Sequence, residues 1–259
     1  MSTPRVPTGI AGLDEMLAGG FLPGTANLVE GAPGTGKSTL AMQFIEHGIT
    51  ACDEPGIILT FEEFPEHLIR DAANFGWDFA AHQAAGRLRV IQTSPEVTLA
   101  DARRTSGRLE TLVEQIGARR VVVDSLSHFE RLAADPVELR LLGFELINAL
   151  KRMGLTAVLT RENPALLGET SEGDDNLAYV VDSYLLLRYV EIDSAVHKAV
   201  LVLKQRGSGH ATDIRQYAIT SRGLEVRSRF AGTHGIMSGT PVMTHTEAFA
   251  AAFLTPGKK

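Results

Sequence analysis

Cysteine is almost missing from this sequence of 259 residues, since Cys52 is the only one. One cysteine excludes an intrachain disulfide and a metal cluster built from cysteines, and it fits a reducing compartment. No stretch approaches the roughly 20 apolar residues that a membrane-spanning helix needs, and the first residues do not have the charged and then apolar pattern of a leader. We therefore predict a cytoplasmic protein without membrane contact.

Basic residues are scarce in the first part of the chain and more frequent in the last. Residues 1–200 hold 28 acids and 17 bases, whereas residues 201–259 hold 3 acids and 8 bases, which together give the net charge of −6. The basic end is compatible with nucleic acid, with a solvated face, or with a phosphate site on a neighbouring subunit. Composition leaves these three explanations open.

Length and composition bound the domain organisation. With 44% hydrophobic and 22% charged residues, the chain can bury one sizeable core, and about 250 residues is within the range of one domain. We predict a single domain over residues 1–259, with an N-terminal segment over about residues 1–24 and a C-terminal tail over about residues 242–259.

A phosphate-binding motif is the most specific feature of the sequence. Residues 31–38 match G-x-x-x-x-G-K-[ST] without a mismatch, between the apolar run Ala26–Val29 and the helical stretch Thr39–Thr50. In such a loop, glycines allow backbone N–H groups to approach phosphates, Lys37 reaches the β- and γ-phosphates as a catalytic group, and Ser38 ligates Mg²⁺. The alternative is a glycine-rich turn. We assign nucleotide binding to Gly31, Gly34, Thr35, Gly36, Lys37, Ser38 and Thr39.

Short apolar runs alternate with helical patterns along the chain. Runs typical of buried strands are Gly56–Phe61, Leu88–Ile91, Val121–Asp124 and Thr156–Thr160. Helical patterns cover Pro65–Phe75, Leu99–Ile116 and Pro136–Met153, with Pro65 and Pro136 suited to first turns. This alternation predicts an α/β fold with a mostly parallel sheet and helices on both faces.

The pattern changes after about residue 179. Apolar runs separated by turn-rich pieces cover Tyr179–Ile192, Ala199–Leu203 and Arg215–Ile219, and they predict antiparallel edge strands. Near the end, Thr246–Phe253 has the pattern of a short helix, and Pro256–Lys259 that of a frayed tail.

A carboxylate ends one of the predicted strands. Asp124 follows the run Val121–Val123, a pattern that brings an aspartate beside Mg²⁺ and its water shell. An aspartate at the end of a strand is also a common turn former. Because a matched phosphate loop precedes it, we favour the role at the metal.

Two adjacent carboxylates, Glu62 and Glu63, end another predicted strand. Ligands of α/β proteins usually bind at this edge of the sheet, where one glutamate can activate water while the other lies near Mg²⁺. The alternative from the residues alone is a solvated loop ahead of Pro65.

A third group of polar residues begins the basic end. Lys204 and Arg206 alternate on one face of a strand end and are suited to clamp phosphates, although a solvated edge strand carries such charges as well.

Together these features resemble the KaiC family within the RecA-like ATPases. The resemblance rests on residues 8–14 (Thr-Gly-Ile-Ala-Gly-Leu-Asp), Gly19-Gly20, the phosphate loop, Thr60–Glu63, Phe75–Asp78, Val123–Ser125, the K-x-R-G-S-x-H segment from Lys204 to His210, and Ile236–Pro241. Their order and spacing match over nearly the whole chain, which makes the combination far more specific than the phosphate loop alone.

The resemblance implies a RecA-like hexameric ring that binds ATP and Mg²⁺ between subunits. It implies that Glu62 and Glu63 are catalytic, that Ser38, Glu62 and Asp124 lie at the metal, and that Lys204 and Arg206 act on the nucleotide of the neighbouring subunit. It further implies nucleotide contacts at Asn74, Phe75, Lys198, Lys204, Gln205, Arg206, Ser208 and His210.

Two departures from the clock members of the family limit what the resemblance implies. Those proteins carry two such domains in tandem, and they have a neighbouring Ser/Thr phosphoacceptor pair upstream of an aspartate. Here the positions ahead of Asp182 are Ala178 and Tyr179, so we do not expect that autokinase cycle. Thr170 and Ser171 are nearby hydroxyls whose spacing does not mark them as acceptors.

Two other functions remain as alternatives. One is a recombination mediator that binds single-stranded DNA, but residues 162–187, where a DNA-binding loop is expected, have six acids and no Lys or Arg. Neutralisation of phosphates supplies most non-specific affinity, so we expect nucleic acid not to bind there. The other is a nucleotide-gated module for a regulatory protein partner that the sequence does not identify, with slow hydrolysis as a timer.

Overall fold

The computed structural model describes residues 4–163, 176–192, 194–230, 233–234 and 242–243. The predicted helix Thr246–Phe253, the predicted tail Pro256–Lys259, the hydroxyls of Thr170 and Ser171, and the segment Ile236–Pro241 lie outside these residues.

A nine-stranded sheet forms the centre of the molecule, in the order β3-β2-β4-β5-β1-β6-β7-β8-β9. The strands are β1 Ala26–Gly31, β2 Gly56–Thr60, β3 Leu88–Gln92, β4 Arg120–Asp124, β5 Thr156–Glu162, β6 Ser183–Ile192, β7 Ala195–Gln205, β8 Arg215–Thr220 and β9 Gly223–Arg229. A separate antiparallel pair consists of β10 Thr233–His234 and β11 Val242–Met243.

Seven α-helices lie in the described residues and cover the sheet. They are α1 Leu13–Met16, α2 Lys37–Ala51, α3 Pro65–Ala73, α4 Phe79–Ala84, α5 Pro95–Ala102, α6 Arg108–Ile116 and α7 Pro136–Arg152. Local chemistry explains several starts: proline begins α3, α5 and α7, and the side chains of Ser94 and Asp135 accept N-terminal N–H groups of α5 and α7. None of the described helices is long and apolar enough to cross a membrane.

The sheet is parallel from β3 to β6 and antiparallel from β6 to β9. Two hydrophobic clusters lie against it: one packs α1, α2, α3 and the antiparallel strands, and the other packs α5, α6 and α7. The predicted fold class, an α/β fold with a mostly parallel sheet and C-terminal antiparallel strands, is confirmed. The carboxyl ends of β1, β2 and β4 meet at one edge of this sheet.

The helix predicted over Leu99–Ile116 is wrong, because the chain leaves the helical path after Ala102 and begins a second helix at Arg108. The Asp101 carboxylate accepts the backbone N–H groups of Arg108 and Leu109, which fixes the break. A Cβ at Gly107 would lie 2.8 Å from that carboxylate, so the turn requires glycine. Apolar periodicity continued across the break and concealed it.

Other differences concern the ends and the short elements. Residues 176–179 form a 3₁₀ turn, so the strand predicted from Tyr179 begins at Ser183. The short helix α4 and the last sheet strand β9 were not predicted. The N-terminal segment folds on itself through a bridge between Val6 and Phe21, and it is tied to the rest of the domain by the Pro7 carbonyl, which accepts a bond from Arg120.

Candidate active site

The phosphate loop leaves the fully buried strand β1 and enters α2. Gly34 and Gly36 have φ of +75° and +98°, and a Cβ at Gly36 would lie 2.6 Å from Cδ1 of Ile219. Glycine is therefore required at position 36 by conformation and by space. The Thr35 hydroxyl donates to the Ala32 carbonyl at 2.7 Å, which closes the loop on itself.

The antiparallel part of the sheet contacts this loop through two tyrosine hydroxyls. The Tyr217 hydroxyl, on β8, donates to the Thr35 carbonyl at 2.6 Å, and burial raises the pKa of this phenol. A second phenol, that of Tyr189 on β6, donates to the Pro33 carbonyl at 3.2 Å and is exposed. Neither tyrosine was predicted, because their relation to the loop depends on how β6 and β8 join the sheet.

Lys37 begins α2, followed by Ser38 and Thr39 in the first turn, where backbone N–H groups have no helical partner. The Lys37 ammonium donates to the Ala32 carbonyl at 3.1 Å. Burial lowers the pKa of Lys37, while the carboxylates of Glu162, Asp124 and Glu30 oppose this shift. Three carboxylates therefore favour the charged ammonium, but burial outweighs them and the net shift of the pKa is downward.

A buried acidic residue, Glu30, lies directly before the loop and was not predicted to matter. It is 2% exposed, it forms an ion pair with Arg161 at 3.3 Å, and it accepts a hydrogen bond from Asn163 at 2.7 Å. Arg161 also pairs with Glu130 at 3.2 Å. This network ties the end of β5 to the root of the phosphate loop. Its only signal in the sequence is a carboxylate inside an apolar strand.

Asp124 ends β4 at the same edge of the sheet, as predicted from the sequence pattern. The Thr160 hydroxyl, on the neighbouring strand β5, donates to its carboxylate. This bond fixes the carboxylate at the strand end, and the Asp124 charge contributes to the pKa shifts of both Lys37 and Glu63. Asp124 therefore belongs to the same electrostatic site as the phosphate-loop lysine.

Glu62 and Glu63 follow β2 in a turn held by Thr60. The Thr60 hydroxyl accepts the Glu63 N–H and donates to the Glu63 carbonyl, both at 3.1 Å. Partial burial, followed by the charge of Asp124, raises the pKa of Glu63, although the residue retains an exposed face. Glu62 is more exposed, and its carboxylate lies 3.5 Å from Nε2 of His128. The pair therefore consists of two carboxylates in different environments.

Lys198 also lies at the phosphate-loop edge, where its ammonium donates to the Gly34 carbonyl at 2.9 Å. It pairs in register with Tyr189, beyond the level at which β6 meets Gly31. Burial lowers the pKa of Lys198. The resemblance grouped Lys198 with nucleotide contacts, and the structure places it beside the loop of its own chain.

Lys204 and Arg206 lie toward the opposite side of the sheet from the carboxyl ends of β1, β2 and β4. Lys204 pairs in register with Tyr184, which is level with Leu28 near the start of β1. The Lys204 ammonium donates to the carbonyls of Ala178 and Val181, both at 2.7 Å, and the Arg206 guanidinium donates to the Tyr179 carbonyl at 2.7 Å. The structure therefore does not bring this basic pair to the phosphate loop of its own chain.

The remaining residues of the basic segment have different surroundings. Gln205 is buried and donates to the carbonyls of Leu17 and Gly20, so its side chain points into the domain. Ser208 accepts a hydrogen bond of 2.6 Å from Arg5 of the N-terminal segment, and His210 is half-buried. Nucleotide contact by Gln205, Ser208 and His210 stays a prediction, and the side-chain position of Gln205 does not favour it.

Asn74 and Phe75 directly follow the last residue of α3. Asn74 is exposed, and the Phe75 ring stacks on Trp77 with centroids 4.7 Å apart. Contact with adenine stays a prediction for both residues.

Three comparisons with known proteins agree on a family. The family model described as "ATPase: KaiC" matches residues 6–230. The circadian clock protein KaiC3 of Synechocystis is 34% identical over 240 residues, and the circadian clock oscillator protein KaiC of Thermostichus vulcanus is 34% identical over 243 residues. Each match covers 93% of this chain and 47% or 46% of the relative, so the chain spans about half the length of these curated relatives.

A solved structure extends this likeness to the fold. The crystal structure of a KaiC-like protein from the hyperthermophilic archaeon Pyrococcus horikoshii superposes with a TM-score of 0.77 at 30% identity, covering 88% of this chain and 100% of that chain. The RecA-like fold predicted from the motifs is thereby confirmed. Because the family model covers most of the sequence and includes both the phosphate loop and the carboxylates at its edge, the chain belongs to the KaiC family of ATPases.

Proposed function

We propose that this chain hydrolyses ATP slowly, with Mg²⁺, at the interfaces of a hexameric ring, and that hydrolysis serves as a timer or a signalling switch. The observation that carries this proposal is the separation of the two sets of functional groups. The phosphate loop, Asp124 and the Glu62–Glu63 pair share one edge of the sheet, whereas Lys204 and Arg206 lie at the other edge.

The register supports a shared site. Val200 of β7 pairs with Leu187 of β6, which pairs with Gly31, the last residue of β1. Arg206 lies one residue beyond the end of β7 and six residues after Val200, which corresponds to about 20 Å at roughly 3.3 Å per residue. An arginine side chain does not span this distance, so Arg206 requires a second subunit to reach a γ-phosphate.

Mg²⁺ fits the groups that the first edge offers. The oxygens of Ser38, Glu62 and Asp124 are hard ligands, and a site with few carboxylates suits an ion that keeps several of its waters. Gly34 and Gly36 have positive φ and no side chains, which allows backbone N–H groups of the loop to approach a phosphate. When bound, the ion neutralises the negative charge of the triphosphate.

Glu63 is the better candidate for the group that activates water. Its raised pKa makes its carboxylate more basic than an ordinary glutamate, and the Thr60 turn fixes its backbone. Glu62, which lies near His128, is assigned to the shell of the metal. Lys37 binds the phosphates from within the chain, and Lys204 and Arg206 stabilise the developing charge from the neighbour.

We favour the two alternative functions, a recombination mediator and a nucleotide-gated module, less than the ATPase ring. A recombination mediator needs a basic surface for DNA, but the described acids of residues 162–187 are Glu162 and Asp182, and Asp182 is paired with Lys151. A nucleotide-gated module for an unidentified regulatory protein uses the same phosphate chemistry. Turnover measured with and without DNA and candidate proteins separates the three functions. We do not expect clock-type autophosphorylation, and a cytoplasmic location stays a prediction.

The direct test of ATP binding is Lys37→Ala. This change removes the ammonium that reaches the phosphates, and we expect it to abolish tight ATP binding in calorimetry. Retention of the wild-type affinity would overturn the assignment of the phosphate loop.

The direct test of the shared site is complementation in mixed rings. Arg206→Ala subunits retain the carboxylate pair, and Glu62→Gln/Glu63→Gln subunits retain the arginine. Each variant alone should bind ATP and turn over little. Rings that contain both, verified by native mass spectrometry, include interfaces with a complete set of groups, so activity should exceed the sum of the separate variants. Well-mixed rings without recovery would reject the shared site.

A further inference from the structure

A cavity separate from the phosphate loop lies between the edge strand β3 and the helices α5 and α6. Its volume is about 630 Å³, within the range of about 300–1,000 Å³ that small-molecule sites occupy. It is lined by Leu59, Ile91, Gln92, Thr93, Val97, Thr98, Ala100, Asp101, Arg104, Arg108, Leu109 and Leu112. None of these residues belongs to the ATP site described above.

The break between α5 and α6 forms one wall of this cavity. Asp101, in the last turn of α5, accepts the N–H groups of Arg108 and Leu109 and so fixes the junction between the two helices. The carboxylate charge of Asp101 is therefore engaged by backbone groups. A continuous helix over residues 99–116 would not create this wall.

The walls differ in chemistry. Leu59 and Leu109 are buried beneath the cavity, while Val97 remains 60% exposed beside it. Apolar side chains are the usual lining of small-molecule pockets, and these side chains suit an apolar body.

Two arginines supply a charge at the same place. Arg104 and Arg108 are exposed, and within the part of the chain that the structure describes no acidic side chain pairs with either. The adjacent Arg103, by contrast, is paired with Glu145 at 2.8 Å. Arginine binds carboxylates through parallel hydrogen bonds, and two unpaired guanidinium groups favour an anion.

We propose that this cavity binds a small amphipathic carboxylate, whose apolar body packs on Leu59 and Leu109 and whose carboxylate lies with Arg104 and Arg108. The break between α5 and α6 places these apolar walls and the two arginines around one cavity. The charge selects an anion over a neutral or cationic molecule of the same shape.

Hydrogen bonds through Thr93 and Thr60 connect the cavity to Glu63. The part of the inference that follows from this connection rests on the proposed function. The Thr93 N–H, at the cavity, donates to the Thr60 carbonyl at 3.0 Å, and the Thr60 hydroxyl holds both the N–H and the carbonyl of Glu63. A ligand that displaces Thr93 therefore changes the turn that carries Glu63. We expect ligand binding to alter ATP turnover.

Calorimetry with 2-naphthoate tests the site on the full chain. For a ligand of about 13 heavy atoms, a Kd of about 1 mM or tighter is expected. The neutral isostere 2-naphthamide should bind at least about tenfold more weakly, because it lacks the charge that two arginines recognise. Equal affinity for the two probes, or no binding of 2-naphthoate, would overturn the proposal.

Variants locate the binding in the protein. Arg104→Gln/Arg108→Gln should weaken 2-naphthoate about tenfold or more, whereas Arg119→Gln/Arg227→Gln removes the same charge from exposed positions outside the cavity and should leave binding unchanged. Ala100→Trp, which fills the cavity, should abolish binding. Its matched control Ala80→Trp, at an exposed position of α4, should not. If both arginine pairs or both tryptophan variants behave alike, the cavity is not the site.

ATP turnover in the presence of 2-naphthoate provides the last test. Saturating 2-naphthoate should change the ATP turnover of the wild-type ring at least about twofold, and Arg104→Gln/Arg108→Gln should lose this response. Unchanged turnover at saturation would reject the path through Thr60. Calorimetry does not depend on hydrolysis, so a failed ligand site and a failed ATPase proposal give different results.

Discussion

The two ends of strand β7 carry the same type of side chain in different functional positions. At one end, the Lys198 ammonium donates to the Gly34 carbonyl of the phosphate loop. At the other end, Lys204 donates to the carbonyls of Ala178 and Val181, far from that loop. The register of β7 separates two lysines that the sequence places only six positions apart.

The difference shows that one strand carries cations toward both ends of the sheet. β7 places Lys198 beside the phosphate loop of its own chain and Lys204 toward the opposite strand end, where the proposed function assigns it to a neighbouring subunit. Burial lowers the pKa of both lysines, and Arg206 lowers that of Lys204 further. Lys204 and Arg206 therefore lie close together, and no described carboxylate is bonded to Arg206. This arrangement suits a surface that receives an anionic partner.

The largest expected effect comes from removing a cation beyond one end of β7, and it is compared with removing Lys198 near the other end. Arg206→Ala should reduce turnover about 10³-fold or more if the arginine stabilises the transferred phosphate, as trans-acting arginines do. Lys198→Ala should reduce it only about tenfold, because one charge-assisted contact at the loop is lost. Steady-state turnover at saturating ATP measures both variants.

Mixed rings separate the two ends further. Arg206→Ala subunits should be rescued by Glu62→Gln/Glu63→Gln subunits, because some interfaces then combine intact groups from two chains. Lys198→Ala subunits should gain nothing from the same partner, since Lys198 and the carboxylates serve the same subunit. Rescue of Lys198→Ala would move Lys198 to the neighbour's site and contradict its placement here.

The sequence predicts the elements whose chemistry is local. The phosphate loop, the strand end at Asp124 and the Glu62–Glu63 pair follow from short motifs, and all of them lie at one edge of the sheet as expected. The two ends of β7 could not be separated in the same way, because the distance between Lys198 and the loop depends on the antiparallel pairing of β6 with β7. Pairing of this kind is set by long-range contacts.

The helix break between α5 and α6 is a second case of this limit. Apolar residues continue at helical spacing through positions 99–116, and only the cap formed by Asp101 and the close approach at Gly107 end the first helix. Gln205 is a third case, because alternation along a strand predicts that it faces away from Lys204, but not that Leu17 and Gly20 receive its bonds.

The next prediction compares the two carboxylates. Glu63→Gln should lower turnover about 100-fold or more, because an amide does not accept the proton of the attacking water. Glu62→Gln should have a smaller effect on turnover and should raise the Mg²⁺ concentration needed for half-maximal activity. Turnover across a magnesium titration distinguishes the two variants. The reverse pattern would exchange their roles.

The pH dependence follows from the environment of Glu63. Partial burial and the charge of Asp124 raise its pKa above that of an ordinary glutamate, and the base acts only when it is deprotonated. Turnover should therefore rise with pH through this raised pKa and should fall as the pH decreases below it. In Asp124→Asn, the acidic limb should move to lower pH, since a negative neighbour is lost. A limb that moves to higher pH would contradict the electrostatic link between the two residues.

The smallest expected effect concerns the support of the phosphate loop by the antiparallel half. Tyr217→Phe removes the hydroxyl that donates to the buried Thr35 carbonyl at 2.6 Å, whereas Tyr189→Phe removes an exposed donor to Pro33 at 3.2 Å. Loss of the buried bond should cost about 1–2 kcal/mol of unfolding free energy and raise the KM for ATP a few fold, because the loop carbonyl loses its partner. The exposed bond should cost less, since water replaces the phenol. Denaturant unfolding and ATP titration of both variants measure the difference. Equal losses would show that β8 does not hold the loop more firmly than β6.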